Sequence, residues 1–289
     1  MLQIIISGIV VGSIYALMGL AMGIIYKASE VPNFAQGEMA MISSYIAFVI
    51  LAVHGYGFLF AFTGAIAFAF LLGIFFEFVF IRRAKNPNIL SLIIITLGFQ
   101  MVLYGIAGWK FGSDQRRLSL PFSDRKTYNF GDVVISELGL ATILAAILLM
   151  LVVWWFLSST KTGIAMKATQ QNSMAAKING IPTNKIMSLS FGISSIVGAV
   201  AGLFIAPVTT LDPNMMWDPL LKGFAAAVLG GFGNLPGIIL GGYILGITEN
   251  IYGYYISVEF KSVFALLVIV LVLWVKPSGL FSRHHTKKV

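Results

Sequence analysis

LGLATILAAILLMLVVWWFL (138–157) is followed, after Ser158, by STKTGIAMKATQQNSMAAKINGIPTNK (159–185), and this junction decides the fold. The first run is the ~20 uncharged residues that an α-helix needs to cross a hydrocarbon layer about 30 Å thick. It closes on Trp154-Trp155, an aromatic pair suited to the membrane–water interface. The second run carries Lys161, Lys167, Lys177 and Lys185 and no Asp or Glu. A cationic segment held out of lipid in so apolar a chain either touches a partner or is a solvated connection.

Working outward, comparable apolar runs recur at about 2–26, 39–53, 58–81, 89–109, 186–208, 220–232, 238–255 and 262–275. The 289 residues are 58% hydrophobic and 10% charged, with mean hydropathy +0.91. Soluble domains carry about 25% charged residues. The composition therefore predicts an all-α fold: a polytopic transmembrane helix bundle of eight or nine membrane segments, with 1–289 as one domain. Thirty glycines fit it, because helices in lipid approach through small residues. They fall at small-xxx-small spacing at Gly8/Gly12, Gly19/Gly23, Gly198/Gly202 and Gly233/Gly237/Gly241. The first run lacks a basic leader and a small-residue cleavage site and reads as a retained helix. Zero cysteines exclude disulfides and thiolate chemistry.

Net charge +8 would suggest nucleic acid in a soluble protein, but here the bias of basic loops toward the cytoplasm accounts for it. Intervals 82–88, 159–185 and 276–289 hold three, four and four basic residues and no acidic one. Intervals 110–137 and 209–222 together hold six basic and six acidic residues. Counting crossings puts the three basic intervals, and the carboxy terminus, in the cytoplasm. The 110–137 interval is then an extracytoplasmic loop or surface helix, and the amino terminus is outside unless the first break is re-entrant.

Two helices read as interrupted. Pro32-Asn33-Phe34-Ala35-Gln36-Gly37 and Gly233-Asn234-Leu235-Pro236-Gly237 each combine Asn, Pro and Gly beside a short or newly starting apolar run. Matching interruptions in the two halves predict an internal pseudo-repeat and a transport pathway; each alone also reads as an interfacial turn. Asn33, Gln36, Gly37 and Asn234 are the candidate pathway residues at these breaks. Thr96 and Gln100, one turn apart, form a polar spot that suits a pathway wall or interhelical glue. Glu249 lies within an apolar run, where an ionisable group is expensive and faces the bundle interior; substrate contact and a buried partner are both open. Glu77 reads as interfacial, paired with Arg82 or Arg83.

No GxxxxGK[ST] phosphate loop occurs, so any ATP dependence must come from another subunit. HExxH, GxSxG and dinucleotide fingerprints are also absent, and the three histidines are His54, His284 and His285. The chain reads as a transport subunit rather than an enzyme, with no catalytic residue, cofactor or metal of its own.

PNFAQGEM (32–39), TGIAMKA (162–168) with Asn172, Ala175-Ala176 and Gly180-Ile181, and AAVLGGFGNLPGIILGG (226–242) occur in this order. Together they resemble the LivH-type permease family of bacterial ABC importers for branched-chain amino acids, over essentially the full length. The resemblance implies a permease subunit in the inner membrane, moving branched-chain or other hydrophobic amino acids. It implies as partners a LivM-type second permease, two cytoplasmic ATPases that bind the ATP, and an extracytoplasmic substrate-binding protein. It makes 159–185 a cytoplasmic coupling loop, with Thr162, Gly163, Met166, Ala175, Ala176, Gly180 and Ile181 as its ATPase-coupling residues. Importer permeases carry an E-A-A-x3-G pattern there; Ala175, Ala176 and Gly180 match it, and Met174 stands at the Glu position. A short helix at about 171–178, stopped by Gly180 and Pro182, would seat in a partner groove. Rival readings are a permease of the same superfamily for urea, short amides or sugars, and a stand-alone channel or secondary transporter.

Overall fold

The structure is a computed structural model that describes residues 1–84, 88–124, 126–131 and 133–281. Residues 85–87 of the first basic interval and the tail beyond Phe281, with His284 and His285, lie outside the described residues. The described residues form eleven α-helices in order: α1 Leu2–Ser29, α2 Gln36–Phe48, α3 Phe58–Phe76, α4 Ile89–Phe111, α5 Glu137–Ser159 and α6 Lys161–Gln171. Then come α7 Ser173–Ile178, α8 Thr183–Thr209, α9 Trp217–Gly230, α10 Leu235–Tyr255 and α11 Lys261–Val275. Helices α2 and α3 each finish in a π-helical turn, Val49–Val53 and Glu77–Ile81. Among the described residues six helices are long and apolar enough to cross a membrane: α1, α2 with its π turn, α3 with its own, α4, α5 and α8.

Side-chain caps set several helix starts, because the first turn of a helix has unpaired N–H groups. Asn88 accepts from Ser91 N at 2.7 Å, Ser136 from Gly139 N at 3.1 Å, Thr160 from Gly163 N at 3.0 Å and Asn172 from Ala175 N at 2.9 Å. Within the interval 110–137 the described residues form an antiparallel hairpin rather than a surface helix. Strand β1 (Thr127–Phe130) pairs with β2 (Val133–Ser136), Thr127 opposite Ser136.

Helices α1, α2 and α8 are buried at the centre of the bundle. Helix α10 lies directly on α1 because glycines face each other. A Cβ on Gly246 would lie 2.5 Å from Gly12 Cα, one on Gly242 2.5 Å from Ala16 Cα, and one on Gly8 2.7 Å from Ile247 Cα. Backbones this close exclude any larger residue and give the dense van der Waals contact that replaces the hydrophobic effect in lipid.

The two ends of the bundle differ. Gln3 exchanges two 2.8 Å hydrogen bonds with the Val134 backbone, and Arg116 pairs with Leu211 through backbone bonds of 3.0 and 2.7 Å. The amino terminus, the hairpin and the end of α8 thus share one end. At the other, Arg82 donates to the Asn184 carbonyl at 3.0 Å and Asn234 to the Phe281 carbonyl at 2.8 Å. Arg82, α6–α7 and the described part of the last basic interval therefore gather together, as the charge pattern predicts.

Candidate functional site

The first break is inside the protein. Helix α1 ends at Ser29 with Glu30 left-handed (φ 59°), and the chain turns back through 31–35 before α2 begins. Asn33 and Gln36 are 0% exposed. The Asn33 side chain turns the chain by accepting from Ala35 N at 3.1 Å and donates to Gln36 Oε1 at 3.4 Å. Gln36 Nε2 donates to the Ser194 carbonyl at 3.1 Å; Ser194 Oγ lies 3.2 Å from Gln36 Oε1 and 2.7 Å from the Ala21 carbonyl. Ser194 is the twelfth residue of α8, about 16 Å of helix rise from its start. Helix α2 therefore begins halfway through the bundle, and the non-helical backbone before it is tolerated because protein surrounds it.

Thr96 and Gln100 of α4 belong to the same centre. Phe34 N donates to Thr96 Oγ1 at 3.4 Å, and Gln100 Nε2 to Glu38 Oε1 at 2.9 Å. Glu38 is buried, and its Oε2 has no hydrogen-bond partner among the described residues. Gly198 of α8 admits the Gln36 amide, which a Cβ there would overlap. Gly37 admits α9: a Cβ would touch Leu220 and Met216 at 3.3–3.4 Å. Helix α9 thus starts against the start of α2, and its Gly223 packs on Met18 and Gly19, midway along α1. The segment before it, with Leu211, Met215 and Met216 buried and Thr210 left-handed (φ 73°), is a second interior break. Its signal, two buried methionines after Asp212-Pro213-Asn214, is too generic to stand out.

Asn234 lies elsewhere. The turn 231–234, with Gly231 at φ 86°, sits at the α6 end of the bundle, and its Asn234 amide ties down the chain at Phe281. Glu249 has a buried partner, Lys222 of α9, at 2.7 Å. Lys222 also meets Asp218 at 2.7 Å and lies over the Tyr15 ring, 5.4 Å from its centroid. Lys222 and Glu249 are 5% and 3% exposed, so the pair clamps α9 to α10. Sequence reading counted Lys222 as a loop charge and missed it, although Asp218 and Lys222 stand at i, i+4. Glu77 pairs with Arg82, Oε2 to Nη2 at 2.8 Å, and accepts from Ser188 Oγ at 2.6 Å, tying α3 to α8. Among the described residues no three His, Cys, Asp or Glu side chains converge as a metal site would require.

The cationic interval is two helices, not one helix in a loop. Thr160 starts α6, whose Gly163, Met166 and Thr169 are buried at three-residue spacing. Gly163 rests on the end of α5, where a Cβ would overlap the Phe156 carbonyl oxygen. Thr162 is half-buried beside it. Asn172 ends α6 and caps α7, which fixes the joint. Helix α7 ends in a double-bonded glycine cap: Gly180 N bonds the Lys177 carbonyl at 3.1 Å and Ile181 N the Ala176 carbonyl at 3.0 Å. Gly180 has φ 80° with open space around it, so its backbone rather than its size requires glycine. Ala176 faces the bundle at 4% exposure and Ala175 faces out. Met174 and Ile178, one turn apart, are 71% and 79% exposed and form an apolar outer face that the small residues alone do not reveal.

Buried helix breaks, six bilayer-length helices among the described residues and a basic end define a multi-pass membrane protein. The chain belongs to the family described as branched-chain amino acid transport system permease components, which it matches over residues 4–273. It is 32% identical to the high-affinity branched-chain amino acid transport system permease protein LivH of Escherichia coli, covering 100% of this chain and 97% of that one. It is 30% identical to the corresponding BraD permease protein of Pseudomonas aeruginosa, covering 100% and 98%. Its fold is similar to a chain of PsaBC from Streptococcus pneumoniae, solved with a Fab, with TM-score 0.51, 16% identity and 96% and 92% coverage.

Proposed function

We propose that the chain is the permease subunit of an ATP-driven importer, forming part of the pathway for branched-chain or other hydrophobic amino acids. Full-length similarity to permeases named for that transport carries the reading. Its partners are a second LivM-type permease, two ATPases that bind the ATP, and an extracytoplasmic binding protein. The end bearing Arg82, α6–α7 and Lys276 is cytoplasmic, following the positive-inside bias, and the hairpin end meets the binding protein across a bacterial inner membrane. Helices α9, α10 and α11 add to the six spans to give eight or nine membrane segments.

Helices α2 and α9 begin against one another at mid-bundle, which supports an inverted pseudo-repeat, α1–break–α2 against α8–break–α9. Asn33, Gln36, Gly37, Thr96 and Gln100 line the pathway when this sealed centre opens, while Asn234 and Glu249 hold helices in place. Helix α7 docks on the ATPase through Met174 and Ile178, and α6, seated on α5 at Gly163 and Met166, carries the push inward.

Reconstitution in liposomes tests the reading. Labelled leucine uptake is expected only when the ATPases, second permease, binding protein and ATP are all present. Uptake by this chain alone without ATP would establish a stand-alone channel instead, and uptake of urea or a sugar but not leucine would overturn the cargo.

A further inference from the structure

An open groove of about 680 Å³ runs between α1, α5, α6 and the start of α10. At one end lie Lys27, Lys167 and Leu157; at the other, Leu20, Ile147 and Tyr243. From Ile147 to Leu157 is ten residues of α5, about 15 Å of helix. That is the depth of one leaflet, half of a hydrocarbon core about 30 Å thick. The wall between is apolar, with Met150, Leu151 and Trp154.

The polar end is unbalanced. Lys27 and Lys167 both line it, and neither has an acidic partner among the described residues. Two unpaired ammonium groups at the interface level, above an apolar channel one leaflet deep, match an anionic headgroup with its acyl chain. Basic pockets between helices at this level take such headgroups.

We propose that this groove is a binding site for an anionic phospholipid of the leaflet on the α6–α7 side, its phosphate between Lys27 and Lys167 and an acyl chain against α5. The lipid would join α1, α5 and α6, so that its occupancy would steady the segment following α5. The proposal requires only that the chain spans a membrane.

The test is native mass spectrometry of the purified full chain with phosphatidylglycerol and phosphatidylcholine supplied equally. The wild type is expected to retain phosphatidylglycerol with a preference of about 30-fold, as two interfacial lysines imply. The K27Q/K167Q variant is expected to lose that preference, while K161Q/K185Q, matched in charge but outside the groove, keeps it. Equal retention of both lipids by the wild type, or equal loss in both variants, overturns the site. A photo-crosslinker at Leu151 in the assembled importer gives a second readout: a lipid adduct supports the proposal, and an adduct to another subunit shows that protein fills the groove.

Discussion

The two breaks that look alike in sequence are held by opposite means. At 30–35 and the first residue of α2 the polar side chains are themselves the fastening: Asn33 and Gln36 are buried and bonded to one another, and Gln36 is bonded to Ser194. At 231–234 the break sits at the end of the bundle, and its flanking helices are clamped from a distance by Lys222 and Glu249. Pro236, in the first turn of α10, merely starts a helix there, since its missing N–H would be unpaired anyway. The same Asn, Pro and Gly thus make an interior re-entry in one place and a surface turn in the other. What differs is where the next helix begins. By that criterion the counterpart of 30–35 is 210–216, since α9 starts against α2 at Gly37.

The largest expected effect is at the clamp. Lys222→Met leaves Glu249 buried without its cation, which costs about 3–5 kcal/mol. Thermal unfolding in detergent should show a large loss for that variant and a partial recovery for Lys222→Met/Glu249→Leu, where both charges go. An unchanged single variant would mean that the second pair of helices is not held this way.

Next is Gly198→Val, which forces a side chain into the space of the Gln36 amide. Overpacking of this kind costs about 3 kcal/mol at the upper end of its range. Gln36→Ala follows at about 1–3 kcal/mol, because it strips hydrogen bonds from groups that water cannot reach. Both should lower the unfolding midpoint. Asn234→Ala should cost least, about 1 kcal/mol or below, since its single bond to Phe281 is exposed. An Asn234→Ala loss equal to that of Gln36→Ala would erase the distinction between the breaks.

Much of this was legible in the sequence, and the misses share a cause. Apolar length and charge sign are local, so the long spans, the basic end and the Glu77–Arg82 pair could be read directly. The clustering of Thr96 and Gln100 with the first break could be suspected, because polar residues in apolar runs must find each other. Depth is not local. Nothing in DPNMM (212–216) says that α9 begins at mid-bundle, and nothing in the Gly233 turn says that it stays at the end. Lys222 escaped because its i, i+4 spacing to Asp218 looks like a solvated surface pair until α10 brings Glu249 to it. In the cationic interval, the alternation of one buried and several exposed positions in α7 depends on α8, so Met174 and Ile178 became visible as a face only in three dimensions.

The claim that unites these regions is that force enters at α7 and reaches the sealed centre through the bundle. Its most direct test is M174D/I178D in the assembled importer, with ATP-driven leucine uptake and ATPase co-purification both measured. The account predicts that the ATPase subunits no longer co-purify and uptake is lost, while the unfolding midpoint stays at the wild-type value because neither side chain is buried. Full uptake with the ATPases still bound would contradict it.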